Sequence, residues 1–240
     1  RQYYNNEPLQ EIWYTSTDGK IVTPDNHDSF GAGINYNMYE GGQGIITFDR
    51  AVTSIGYKAF RACSTLRSIE IPNSVTSIGN RAFCLSSLQS VIIPNSVTSI
   101  AEYAFSECNL LQSINIPSGV TSIGQYAFSY CNSLETVTFN SLPVVGTEAF
   151  WPCDNLNNRI LDLTDSDKTY IGNSLSDYHP FTEARYHGTL EPGEWGTITL
   201  PFVPSNHDGI VFFSIDNVNA ANGTLTLSIT ENIVAGKPYL

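Results

Sequence analysis

Five cysteines, four histidines, a recurring serine and one short run of carboxylates are the residues of this 240-residue sequence whose types could do chemistry. Cys63, Cys108, Cys131 and Cys153 each stand three residues after a phenylalanine, while Cys84 directly follows one. Zinc sites need pairs of cysteines a few residues apart, and here the closest two are 21 positions apart. An odd count argues against a disulfide framework. We read the thiols as small buried hydrophobes, with pairing between neighbouring repeats left sterically open. Ser54, Ser77, Ser99 and Ser122 all lie in Val-Thr-Ser-Ile. A nucleophile is singular and needs a base beside it, so repetition marks these serines as structural. No Gly-x-Ser-x-Gly elbow is present, and Gly31-x-Gly33 alone does not make a phosphate loop.

His179 and His187 bracket Glu183, which brings two imidazoles and a carboxylate within nine positions. A metal-dependent or glycan-binding function there is one alternative, although the spacing fits no usual ligand pattern. The run Asp162-Leu163-Thr164-Asp165-Ser166-Asp167 could face calcium. Counted from Asp165, the sixth and twelfth positions are Tyr170 and Ser176, where a calcium loop needs Gly and Glu. We read it as a solvated turn. These residues assemble no catalytic constellation, so we expect no enzyme, no cofactor and no resident metal.

What positions these residues is a repeat. Rows begin at Val52, Val75, Val97, Val120 and Leu142, in steps of 23, 22, 23 and 22 residues. Columns then appear: Ile55, Ile78, Ile100, Ile123 and Val145; Ala59, Ala82, Ala104, Ala127 and Ala149; Phe60, Phe83, Phe105, Phe128 and Phe150; Leu66, Leu88, Leu111, Leu134 and Leu156. Ile69, Val91, Ile114 and Val137 follow, then Ile71, Ile93, Ile116 and Phe139. One row cannot bury its own apolar face, but stacked rows bury each other's. Leu-x-x-Ile-x-Ile-Pro alternates as a strand does and is stopped by its proline. The other half of each row should return as a short extended piece and a turn of helix.

Val-Thr-Ser-Ile-Gly-x-x-Ala-Phe-x-x-Cys-x-x-Leu, as it stands at Val120–Leu134, resembles the BspA-type leucine-rich repeats. The resemblance covers Gly44 to about Leu163. The second row lacks one residue between Phe83 and Leu88, and Ala101 replaces the usual glycine in the third. It implies an α/β solenoid, mostly β, with a parallel ladder and short helical turns. It also implies a cell-surface location in host-associated bacteria, and adhesion to matrix proteins in some members.

The flanks lack the period. Ile12–Val22, with Asp18-Gly19 at its middle, predicts a β-hairpin, and Ile45–Phe48 predicts the first strand of the solenoid sheet. We expect an N-terminal β cap over residues 1–44, a solenoid over 45–187 that includes a C-terminal cap over 157–187, and a small antiparallel β-module over 188–240. The module's strands are expected at Glu194–Phe202, Val211–Ile215 and Asn222–Ile229. The sequence opens on Arg1, carries one methionine and ends on what reads as a strand entering. We expect a processed or trimmed chain, with any export signal removed along with its N-terminus, and a crop at its C-terminus is open.

Net charge is −12, with only 14% of residues charged. An acidic surface repels phosphate backbones and anionic headgroups, so nucleic acid is a poor partner. No apolar run is long enough to span a bilayer. The surface best suited to a protein partner is the outward strand face, where Ser68, Ser90, Ser113 and Thr136 form one row and Thr47, Glu70, Ile92, Asn115, Thr138 and Asp162 another. That face offers no aromatic platform of the kind carbohydrates use. Tyr103 and Tyr126 make a second candidate patch. The expected function is that of a non-catalytic secreted or surface-attached interaction protein with a protein partner, such as a host matrix protein. A structural module of a larger surface assembly is the alternative.

Overall fold

A computed structural model of the protein describes residues 10–141, 143–164, 183–187, 212–219 and 224–230. The apolar columns are continuous and internal. Phe60, Phe83, Phe105 and Phe128 are wholly buried, and their rings stack nearly parallel at 5.0–5.6 Å from row to row. The column loosens at its last row, where Phe150, Cys153 and Leu156 are half-buried.

The Val-Thr-Ser-Ile halves form two-residue strands, β4 (Ser54–Ile55), β6 (Ser77–Ile78), β8 (Ser99–Ile100), β10 (Ser122–Ile123) and β12 (Val144–Val145). They stack in parallel, Ser on Ser and Ile on Ile, with Val144 and Val145 closing the last row. The recurring serines are therefore ladder residues. The other half of each row supplies β5 (Leu66–Glu70), β7 (Ser90–Ile92), β9 (Ser113–Ile116) and β11 (Thr136–Phe139). β5 pairs with β7 and β9 with β11, all in parallel register. The ladder is interrupted between β7 and β9, beside the row that is one residue short.

The expected turn of helix is absent: none of the described residues is helical. The backbone shows why. In the first row the N–H groups of Lys58, Phe60 and Ala62 donate to Asn80, Ala82 and Cys84 of the next row, while Ala59, Arg61 and Cys63 donate back three residues. The second row repeats this from Arg81, Phe83 and Leu85 to Glu102, Ala104 and Ser106. A helix would turn every N–H along its own axis. Here alternate ones point to the neighbouring row instead. The price is a left-handed backbone at Lys58, Ala62, Arg81, Leu85, Tyr103, Glu107, Tyr126, Tyr130 and Glu148, with φ of 54–62°, which is unusual for residues with a Cβ.

The N-terminal region differs from the predicted hairpin. β1 (Glu11–Ser16) does not fold back on residues 20–22. It inserts between β3 (Gln43–Phe48) and β5, antiparallel to both, so that with β2 (Ile34–Glu40) the order is β2-β3-β1-β5-β7. With both edges of β1 occupied, nothing is left for a returning strand. β3 therefore lies one strand away from β5 rather than beside it, despite the 23-residue match of Ile46 and Phe48 to Ile69 and Ile71. The hairpin actually formed is β2 (Ile34–Glu40) with β3, closed by Gly41 and Gly42 at φ 59° and 86°. Two adjacent left-handed residues are what a two-residue hairpin loop needs.

Residues 23–30 run alongside the first full row. Asp25 N–H donates to Ala59 O, Asn26 and Ser29 side chains donate to Tyr57 O, and Gly56 N–H donates to Ser29 O. Phe30 is wholly buried against Phe60 and Phe48. At the other end β13 (Asn158–Thr164) continues the parallel ladder from β11. Residues 183–187, read as part of a capping loop, form β14 (Glu183–His187), parallel to β13. β15 (Phe212–Asn219) and β16 (Thr224–Thr230) form an antiparallel pair that joins this sheet through β14. The expected strand at 194–202, His179, and Asp165–Lys168 lie outside the described residues.

Candidate functional site

The outward strand face is built by alternation. In β5 to β11 the core positions alternate with Ser68, Glu70, Ser90, Ile92, Ser113, Asn115, Thr136 and Thr138. Ser68 lies opposite Ser90 and Glu70 opposite Ile92, whereas Ser113 and Asn115 pair with Thr136 and Thr138 in the other sheet. The interruption after β7 thus divides the predicted face into two groups. Ser68, Thr136 and Thr138 are half-buried. Ser68 Oγ shares a hydrogen bond of 2.6 Å with Thr15 Oγ1.

Insertion of β1 extends this face beyond what the repeat foretold. Trp13 lies opposite both Ile45 and Glu70, and Ile45 lies opposite Met38. A cross-strand row Met38–Ile45–Trp13–Glu70–Ile92 therefore runs over five strands. Its last member is 71% exposed, the most exposed large hydrophobic residue among those described. Tyr36 is exposed one alternation away. The repeat strands themselves carry no outward aromatic; the half-buried Trp13 and the exposed Tyr36 come from strands outside the period. The available signal was the alternation in Glu11–Ser16 itself, which places Trp13 opposite the buried Ile12 and Tyr14.

The second candidate patch lies on the turn side. Tyr103 and Tyr126 stack at 5.1 Å, and the Arg81 guanidinium sits 5.0 Å from the Tyr103 ring centre. The Glu148 carboxylate, hydrogen-bonded to the Tyr126 hydroxyl, pushes that hydroxyl above its usual range. These residues form one wall of a groove of about 460 Å³.

The cysteines are all free. Each thiol of the column makes a bond the sequence did not suggest. Cys108, Cys131 and Cys153 donate to the carbonyls of Phe83, Phe105 and Phe128, one row back, and Cys63 donates to Thr23. In the short second row Ser86 takes the column position, and Cys84 is displaced to the groove. Burial pushes the thiols up, to about 11 for Cys63 and Cys153 and about 12 for Cys108. A protonated, buried thiol is inert. The native protein should therefore resist iodoacetamide near pH 8, at about the pKa of a free thiol, and take five labels once unfolded. Fewer than five labels in denaturant without reductant would reveal a disulfide. Because the folded values lie above the unfolded ones, these thiols bind more protons folded than unfolded between about pH 9 and 12. Their stabilising contribution is whole below that window and is lost as pH rises through it. A Cys108→Ala variant should show a shallower alkaline fall in urea-unfolding midpoint than the parent protein.

Among the described residues no group of histidine, cysteine or carboxylate side chains could hold a metal ion, and no helix is long and apolar enough to cross a membrane.

No curated protein matches the chain. Among solved structures it is similar to a leucine-rich cell-surface protein of Faecalibacterium prausnitzii, at 35% identity over 47% of this chain and 30% of that one, with a TM-score of 0.43. It is likewise similar to a leucine-rich repeat protein of T. pallidum, at 31% identity over 49% of this chain and 58% of that one, with a TM-score of 0.44. A leucine-rich repeat protein of Bacteroides ovatus shares 30% identity over 54% of this chain and 40% of that one, with a TM-score of 0.36. The match thus spans about a third to three-fifths of those proteins. Residues 35–157 match the model of the BspA-type leucine-rich repeat region in six copies, starting in β2, ahead of the five full rows. With just over half its length matched, the chain belongs to the BspA-type leucine-rich-repeat family.

Proposed function

We propose that the chain is a non-catalytic, secreted or cell-surface protein of a bacterium that binds another protein through its outward strand face. The observation that carries this reading is the Met38–Ile45–Trp13–Glu70–Ile92 row. Ile92 stands out from the sheet where a polar residue would cost nothing. Interface anchors are enriched in Trp, Tyr and Met, and this row and its neighbour Tyr36 hold all three. Family membership supports a surface role.

A partner docking here gains most from the exposed apolar members and is steered by Glu70 and Glu11. The experiment is biolayer interferometry of the protein against a panel of purified extracellular-matrix proteins. Ile92→Asp, which places a second carboxylate opposite Glu70, should weaken the best binder by at least about tenfold, as expected for a buried apolar anchor. Circular dichroism should stay native, since Ile92 contributes nothing to the core. Binding indifferent to both Ile92→Asp and Trp13→Ala would remove the strand face as the site. If no panel member binds while the protein is recovered only within a stable surface complex, the structural-module alternative takes over.

A further inference from the structure

The turns between the two ladders carry a second surface. Left-handed residues form its walls, Arg81, Tyr103, Tyr126 and Glu148 on one side and Leu85, Glu107 and Tyr130 on the other. The residues directly after each phenylalanine form its floor, from Arg61 through Cys84, Ser106 and Ser129 to Trp151. The groove runs along the stacking axis, and its volume falls within the range of ligand sites.

Its lining is graded. Arg61 and Arg81 lie at the N-terminal end, with Lys58 in the same row as Arg61, and none of the three is in an ion pair among the described residues. Lys58, Arg61 and Arg81 all act on the Tyr57 hydroxyl and hold it below its usual range, so the cations gather at this end of the groove while its carboxylates, Glu107 and Glu148, come from later rows. At the other end Trp151 and Tyr130 are 54% and 49% exposed and present flat rings to solvent. Between them, Ser106 and Ser129 hydroxyls share a hydrogen bond of 2.9 Å on the floor and Glu107 supplies a carboxylate acceptor, while Glu148, bonded to the Tyr126 hydroxyl, stands in the last row beside Trp151.

The backbone decides between ligand classes. Every wall N–H from Lys58 to Tyr130 is already bonded to the next row. A peptide that docks by adding a strand has no edge to pair with here. Recognition must come from side chains: forks for an anion, carboxylates for hydroxyl groups, rings for flat apolar faces. A saccharide offers all three complements. The row spacing near 5 Å is also close to the length of one pyranose unit. We propose that this groove binds an anionic oligosaccharide, carboxylated or sulfated, lying along the solenoid axis with its anionic group on Arg61 and Arg81 and a sugar face on Trp151 or Tyr130. This site is separate from the strand face and stands or falls apart from it.

Isothermal titration of the whole chain with four probes tests this: an oligogalacturonate hexamer, a heparin hexasaccharide, neutral cellohexaose and a glutamate hexapeptide. At least one of the two anionic saccharides should bind, and which one names the anion. Cellohexaose and the peptide should bind at least about tenfold more weakly, the order of one charge-assisted contact. Arg61→Gln with Arg81→Gln should cost about tenfold or more. Trp151→Ala or Tyr130→Ala should lower affinity with the native circular dichroism kept, and Ile92→Asp should change nothing. No binding of either anionic saccharide overturns the proposal. So does equal binding of the glutamate peptide, which would make the groove a site for acidic peptides, and so does indifference to the arginine and aromatic variants.

Discussion

Phe105→Ala is expected to lower the unfolding free energy by about 3–5 kcal/mol, the range for truncating a fully buried aromatic ring. Phe105 is wholly buried and stacked on both sides, 5.0 Å from Phe83 and 5.1 Å from Phe128. Each aromatic pair adds about 0.5–1.5 kcal/mol beyond the area it buries, and this substitution removes two pairs at once. The cavity left behind cannot collapse easily. The rows above and below are fixed at the ladder spacing by the bonds from Phe83 N–H to Ala104 O and from Phe105 N–H to Ala127 O. Urea unfolding followed by circular dichroism checks the magnitude. Phe150→Ala is the internal comparison, because that ring is only half-buried and should cost less. A loss below about 1 kcal/mol at Phe105, well under the usual cost of emptying a core site, would mean that the stack is not the source of the solenoid's cohesion.

The sequence made the core of this protein legible because the solenoid is nearly one-dimensional. Each row contacts mainly its neighbouring rows, so Phe60 to Phe150 could be aligned as one column without knowing any other contact. The half-row at Ile45–Phe48 misled for the same reason. Its spacing to Ile69 and Ile71 is right, but spacing cannot reveal that β1 arrives from outside the period and takes the place beside β5. Gly-x-x-Ala-Phe-x-x-Cys has helix-like spacing of its apolar residues and yet forms no helix. What spacing does not encode is the destination of the N–H groups, which here is the next row. The candidate face was legible in its repeating half alone. Ser90, Ile92, Ser113 and Asn115 follow from alternation, while Trp13, Met38 and Tyr36 come from the flank. Of the groove, the repeat pattern singles out Tyr103 and Tyr126. Its other wall and floor needed the left-handed turn geometry to be placed together.

Phe30→Ala should cost a similar amount, about 3–5 kcal/mol by the same rule, yet distribute the damage differently. Phe30 belongs to no repeat, but it occupies the place of a preceding row: its ring meets Phe60 at 5.6 Å and Phe48 at 5.1 Å, and its carbonyl accepts from Thr53 N–H. Ser29 O beside it accepts from Gly56 N–H, as Ile55 O does from Gly79 one row on. Losing the ring loosens residues 23–30 from the first row. In a solenoid each row answers mainly to its neighbours. The disturbance should therefore fade along the stack, whereas Phe105→Ala is felt on both sides of its row. Hydrogen exchange separates the two variants. With Phe30→Ala, amides of Thr53 and Gly56 should exchange faster under native conditions, while those of Phe105 and Phe128 keep their protection. A uniform loss of protection across all rows would mean that the stack unfolds as one unit, and that the N-terminal segment holds the whole ladder rather than its first row.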